Sequence, residues 1–245
     1  MTHLTGRRSL FRVDRETEIG AEPKETDSGY WIAEGVLSHT ECDRLIGELA
    51  DPAVKRSRAG ARHLMIHPAV VALASDRRLL GLARMALGAG AVPYRATLFE
   101  KSARSNWLVV WHQDTALPLT STFGAPGWGP WSEKGGIAYA HAPAWALSRI
   151  LALRVHLDAS TSENGPLRVV PGSHAMGLMT DEEVFAFAAA RDHAECLAGR
   201  GGIMAMRPLL IHSSPKARSG EPRRVLHIEY ADTLELAPDI RLAIA

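Results

Sequence analysis

His112 and Asp114 are separated by one residue, Gln113. On an extended strand, residues two apart face the same side, so an imidazole and a carboxylate at this spacing can reach one metal ion. The spacing alone selects little. Five histidines are followed two positions later by an acid: His39, His112, His156, His193 and His227. His39 opens an expected helix and His193 comes just after one, and there such residues point apart, which removes both. His156 and Asp158 are the direct competitor, although a histidine ending an apolar strand that leads into a turn has an ordinary structural reading. His212 closes the apolar run 203–211 and has the same bland alternative, a satisfied core residue. It gains weight from the polar pair Ser213-Ser214 directly after it and from Arg223-Arg224 further on. Two histidines and one carboxylate with the remaining positions open form the facial triad of non-haem Fe(II) chemistry, and an arginine offers a planar fork to a carboxylate.

These side chains need strands to hold them, and the patterning supplies strands. Residues 1–27 read as a polar N-terminal arm, and 28–245 as a single domain. A short strand is expected over 30–37. Ser38 then caps a helix reaching about residue 50, with Glu41 completing a capping box. Helices are expected next at 69–75 and 76–87, the second stopped by Gly88. Beyond Pro93 the pattern turns to strands at 94–101, 107–114, 150–158, 167–170, 203–212 and 223–230, with one helix at 181–190. A helical front end leading into many short strands gives an α+β chain with a β-sandwich or jelly-roll core.

Composition narrows the function. Lys+Arg 28 against Asp+Glu 27 leaves a net charge of +1, so binding nucleic acid by bulk charge is not expected. The apolar stretches are too short or interrupted to cross a bilayer, and the N-terminus lacks the apolar core of a secretory signal. Two cysteines, Cys42 and Cys196, make no disulfide framework. The expectation is a cytoplasmic protein that engages neither nucleic acid nor membrane.

Three blocks then carry a resemblance: Trp111-His112-Gln113-Asp114; Glu163-Asn164-Gly165-Pro166-Leu167-Arg168-Val169-Val170-Pro171-Gly172-Ser173-His174; and His212-Ser213-Ser214 with Arg223 beyond it. In order and spacing the chain resembles the phytanoyl-CoA dioxygenase (PhyH) family over about residues 28–232. The resemblance implies a double-stranded β-helix (jelly roll) with N-terminal and flanking helices, using Fe(II), 2-oxoglutarate and O₂. It implies that His112, Asp114 and His212 bind iron and serve catalysis, and that Arg223 pairs with the far carboxylate of 2-oxoglutarate, assisted by Ser214. It makes residues 171–174 a structural turn and His174 no ligand. The function it implies is hydroxylation of a small or medium organic molecule with release of succinate and CO₂. The presence of Asp114 argues against the related halogenases, in which a halide takes the place of the carboxylate. The alternatives are a jelly-roll protein that binds a metal or ligand without turnover, and a metal enzyme that dispenses with 2-oxoglutarate.

Two tensions remain. Adjacent strand residues point to opposite faces, so only one of Arg223 and Arg224 can look into the barrel. Family spacing favours Arg223, yet Arg224 shares its face with Leu226, Ile228 and Tyr230, which reads as the core side. A bulge or a kink at Pro222 is the expected way out. Segment 116–149 departs from the family and reads as a long, mobile loop at the mouth of the site. Trp128, Trp131, His141 and Trp145 in it are candidate substrate contacts, against the simpler view that the tryptophans pack the loop onto the barrel. A near-zero net charge and these tryptophans point to a neutral or amphiphilic substrate.

Overall fold

The computed structural model describes residues 28–57 and 59–245; the polar arm expected at 1–27 lies outside them. In chain order the elements are β1 (Tyr30–Ala33), α1 (His39–Leu49), β2 (Arg56–Ser57), β3 (Gly60–Ala61), α2 (Pro68–Ala74), α3 (Arg77–Leu87), β4 (Val92–Lys101), β5 (Val109–His112) and β6 (Ala116–Leu119). They continue with β7 (Trp131–Lys134), β8 (Ile137–His141), α4 (Ala144–Leu147), β9 (Ile150–His156), β10 (Leu167–Val169), α5 (Asp181–Ala189), β11 (Ala194–Cys196) and β12 (Ile203–Met206). The last are β13 (His212–Ser214), β14 (Arg223–Ala231), β15 (Glu235–Ala237) and β16 (Ile240–Arg241).

Two antiparallel sheets form the barrel. The larger has the order β1-β12-β9-β14-β4-β3-β2 and the smaller β11-β10-β13-β5. With helices set against the larger sheet, this is an α+β chain built on a double-stranded β-helix.

The helical layer explains the larger sheet's sequence. Ser38 accepts from Glu41 N–H, and the Glu41 carboxylate accepts from Ser38 N–H, closing the capping box that starts α1. Asp76 caps α3. Leu45, Leu49, Val70, Leu73 and Leu79 from these helices share one core with Leu151, Leu153, Val155, Leu226, Ile228 and Tyr230 from the sheet. The Tyr230 hydroxyl donates to Ala74 C=O at 2.9 Å, which satisfies the buried phenol. The apolar face of β14 is thus the face under the helices. The opposite face, with Arg223, His227 and Glu229, lines the barrel interior. No bulge separates the two arginines, because Arg223 and Arg224 pair in register with Lys101 and Glu100.

Three other expectations are corrected. The run 203–212 is two strands in different sheets, because Pro208 has no N–H for a ladder and the Arg207 N–H bonds to Gly29 C=O. The first strand stops at Ala33, and the chain bends before Ser38. Segment 116–149 is not an irregular loop. It contains a three-stranded sheet, β6-β8-β7, and the short α4. Leu117, Leu119, Ala140, Ala146 and Leu147 form a second core there with Tyr94, Ile150 and Leu242. The alternation in this segment is broken by Pro118, Gly135 and Gly136, which hides strands of four and five residues.

Candidate active site

His112 and His212 are cross-strand partners on β5 and β13. Directly opposed residues carry their side chains on the same face, and the two imidazole centres lie 4.1 Å apart. Asp114 stands two residues after His112, and its N–H donates to Pro208 C=O at 2.9 Å, fixing the chain just beyond β5. The intervening Gln113 points the other way and is buried. Its amide donates to Gly177 and Leu209 C=O and accepts from Met179 N–H, so the strand end is pinned on both sides.

Each histidine is held in one tautomer. His112 Nδ1 lies 2.8 Å from Val110 C=O, and His212 Nδ1 lies 2.8 Å from Leu210 C=O. A carbonyl can only accept, so Nδ1 carries the proton and Nε2 presents a lone pair. Those Nε2 atoms face Asp114, at 3.7 Å for His112 and 3.6 Å for His212. The three ligand atoms lie within 4.8 Å of one another. Burial pushes the His212 imidazole down to about 3 and keeps it neutral, with Asp114 opposing. At Asp114 burial raises the carboxyl, but His212, His112, His227 and Arg95 together hold it below the usual range. Two neutral nitrogens and an ionised carboxylate converging from two sides fit a divalent first-row metal.

Behind this trio lies a cavity of about 120 Å³. Its wall carries Arg95, Lys101, Arg154 and Arg223 against the acids Asp114 and Glu229. Glu229 is already engaged by Arg95 at 3.1 Å, Tyr94 hydroxyl at 2.6 Å and His227 Nε2 at 3.2 Å. Arg154 donates to His227 Nδ1 at 3.1 Å, and its Nε has no partner. At the far end, Lys101 Nζ and Arg223 both donate to Ser214 Oγ, at 2.7 and 3.3 Å, while Ser214 donates to Gly165 C=O. Arg223 Nε is also unpartnered. Burial, then Arg223 and Arg154, push the Lys101 ammonium down to about 7. Burial and Arg154 bring Arg223 down to about 9. Three buried cations without an acid of their own call for a guest carrying negative charge. A dicarboxylate with one end at Lys101, Ser214 and Arg223 and the other toward the histidines meets that need.

The other sequence candidates lie elsewhere. Arg224 forms a two-pronged pair with Asp158, at 2.7 Å on both prongs. His156 is buried, with Nδ1 3.3 Å from Gly202 C=O, and burial, then Arg154 and Arg223, push it down to about 3. Neither His156 nor Asp158 joins the metal trio. His174 packs against Gly29, where a Cβ would collide with its ring. Ser173 in the same turn accepts from Ile211 N–H at 2.8 Å and so sets the start of β13. Trp128, Trp131 and Trp145 are not on the cavity wall. Phe123 meets Trp128 and Trp131 edge-on, with ring centres 5.3 and 5.1 Å apart, and Trp145 stands 6.1 Å from Trp128. His141 is exposed and bonds through Nδ1 to the Thr115 hydroxyl at 2.7 Å. Sequence reasoning misses Lys101, Arg154 and Arg95. Their signal is alternation, since Arg95, Thr97, Phe99 and Lys101 share one face of β4.

A jelly roll bringing two histidines and one carboxylate together over a cationic cavity is a barrel of the double-stranded β-helix class with a candidate metal site. The family model for phytanoyl-CoA dioxygenase (PhyH) matches residues 26–225. The chain belongs to that family. It is 27% identical over 178 residues to the L-proline trans-4-hydroxylase of Streptomyces griseoviridis, a match covering 62% of this chain. The chain spans 59% of that relative's length. Solved structures share the fold. EctD from S. alaskensis with 2-oxoglutarate and 5-hydroxyectoine has a TM-score of 0.64 at 21% identity, covering 85% of this chain and 73% of that one. HygX from Streptomyces hygroscopicus with nickel and 2-oxoglutarate bound has a TM-score of 0.59 at 17% identity, covering 84% and 83%. Among the described residues no helix is long and apolar enough to cross a membrane.

Proposed function

We propose that this protein is an Fe(II)- and 2-oxoglutarate-dependent dioxygenase that hydroxylates a small organic molecule, and that residues 28–245 form one catalytic domain. The observation that carries it is the juxtaposition of the tautomer-locked His112, Asp114 and His212 with three buried cations lacking an acid. His112, Asp114 and His212 hold the metal. Arg223 and Lys101, bridged by Ser214, hold the far carboxylate of 2-oxoglutarate. Bound iron and 2-oxoglutarate supply the oxidation: O₂ and 2-oxoglutarate are consumed, succinate and CO₂ leave, and one oxygen atom enters a substrate C–H bond. The protein's own part is orientation and dryness. Arg154 keeps His227 in the tautomer that donates to Glu229, and Glu229 in turn fixes Arg95 beside the metal trio. Phe99 and Leu167 close the cavity between the polar groups.

The relative's hydroxylation of L-proline and the solved complexes with 2-oxoglutarate support this reading. The buried free thiols of Cys42 and Cys196 go with a reducing, cytoplasmic setting, which ferrous iron also needs. No role with nucleic acid or membrane is part of the proposal. The test is anaerobic titration with Fe(II) and 2-oxoglutarate by calorimetry, then O₂ and assay of succinate. Stoichiometric joint binding and succinate release are expected. Binding of metal without 2-oxoglutarate would leave a metal protein of another kind.

A further inference from the structure

A second group of cations stands beside the trio, and neither metal nor 2-oxoglutarate uses it. The sheet β6-β8-β7 continues from Asp114, and Tyr139 on β8 is buried among basic groups. The Arg95 guanidinium carbon is 5.3 Å from the centre of its ring and Lys134 Nζ is 4.6 Å from it. His63 Nε2 lies 3.0 Å from the Tyr139 hydroxyl, and Arg62 precedes it in the chain. Arg95 spans both regions, since it also lines the cavity and is paired with Glu229.

Arg62 and Lys134 have no acidic partner among the described residues. Burial lowers the Lys134 ammonium, Arg95 and Arg62 lower it further, and Asp114 alone opposes them. Of the two cations over this ring, Arg95 is neutralised by Glu229, which leaves Lys134, with Arg62 nearby, free to meet a negatively charged guest. The local backbone is also built for this place. His63 is held in the left-handed region at φ 59°, ψ 43°, where a residue with a side chain stays only when its surroundings impose it. Gly135 approaches so closely that a Cβ there would come within 2.9 Å of the His63 ring.

We propose that Arg62, Lys134 and the His63–Tyr139 pair form a substrate subsite joined to the cavity through Arg95, taking an oxyanion group, carboxylate or phosphoryl, of a small substrate. The inference rests on the oxygenase reading of the adjoining trio. Arg95, which stacks on Tyr139 and also lines the cavity, connects a charged end anchored here to the side of the trio. An anionic substrate departs from the neutral or amphiphilic one expected from the near-zero net charge and the tryptophans; of the latter, Trp128, Trp131 and Trp145 pack with Phe123 and one another.

The test is O₂-dependent succinate release from the Fe(II)-loaded enzyme with a panel of substrates in matched pairs. Common L-amino acids and short carboxylic acids are paired with their primary amides, and phosphomonoesters with their parent alcohols. Stimulation by an anionic member and not by its neutral counterpart is expected, and the arm that responds identifies the oxyanion. For that compound Arg62→Gln and Lys134→Gln should each raise KM about tenfold or more, the scale of one charged hydrogen bond. Lys134→Arg should retain most of the affinity. Equal use of the neutral counterparts, silence of every anionic member, or an unchanged KM in both Gln variants overturns the proposal. Anaerobic binding of Fe(II) and 2-oxoglutarate, measured before any panel compound is added, reports separately on the oxygenase reading.

Discussion

At His112 and His212 the nitrogen that faces Asp114 is decided two residues back, by the carbonyls of Val110 and Leu210. A similar dependence on neighbours governs the other end of the cavity. Lys101 is charged only below about pH 7 in the free protein, because burial and two guanidinium groups press on it. A bound carboxylate favours the charged form and raises that value. Affinity for 2-oxoglutarate is therefore full below pH 7 and weakens above it, by up to about tenfold per pH unit until the raised value is passed. Anaerobic titrations across this range should show that slope, and Lys101→Met should flatten it; an unchanged slope in the variant would remove Lys101 from the carboxylate site. The adjacent arginines divide more sharply. Arg223→Ala should weaken 2-oxoglutarate binding by about ten- to a hundredfold, the loss of a charge-assisted hydrogen bond. Arg224→Ala should leave that affinity intact and destabilise the fold by about 1 kcal/mol, since only its pair with Asp158 is lost. Equilibrium binding and urea unfolding on the two variants separate these outcomes.

At the scale of elements, the shared sequence blocks become turns that hold the strands of the site. Gly165 sits at φ +71°, and a Cβ there would lie 2.6 Å from Pro215 C=O and 3.1 Å from Lys101 Nζ. Only glycine lets the 163–166 turn touch the loop after β13 while its carbonyl receives the Ser214 hydroxyl. Gly165→Ala should cost about 2 kcal/mol or more in urea unfolding, from the left-handed backbone and the collision together, and should weaken 2-oxoglutarate binding as Lys101 shifts. Wild-type stability in this variant would mean that the turn has slack the geometry does not show. The same scale explains which features are legible in the sequence. The cap at Ser38 and the strands β9 and β14 are local signals, and they appear where expected, whereas Asp76, read as the first helical residue, caps α3 instead. The facing of β14 is not local. A strand covered by helices on one side and by a polar cavity on the other has its apolar face outside the barrel, so Arg223 sits opposite to where hydrophobicity alone puts it. Lys101 and Arg154 are hidden for the same reason, as charged residues on the face of β4 and β9 opposite the apolar one, where a strand covered on one side would meet solvent.

For the molecule as a whole, the question is which part of the site's mouth moves. The sequence marks segment 116–149 as a mobile lid, because it leaves the barrel beside Asp114 and returns at β9. The structure instead ties most of it down. β6, β8 and α4 bury Leu117, Leu119, Ala140 and Leu147 against Tyr94 and Ile150, which belong to the larger sheet's strands β4 and β9. Leu119 also bridges to Leu242 near the C-terminus. Backbone amides in such ladders open only when the core around them opens. The stretch 120–130 between β6 and β7 has no strand, and its aromatic groups Phe123 and Trp128 are only partly buried. Hydrogen exchange should therefore divide the segment. β6 and β8 should exchange as slowly as β9 and ignore ligands, whereas 120–130 should exchange fast and slow down when Fe(II), 2-oxoglutarate and substrate are all present. Uniform fast exchange across 116–149 would restore the whole-segment lid. Uniform slow exchange that no ligand changes would leave the mouth a fixed wall.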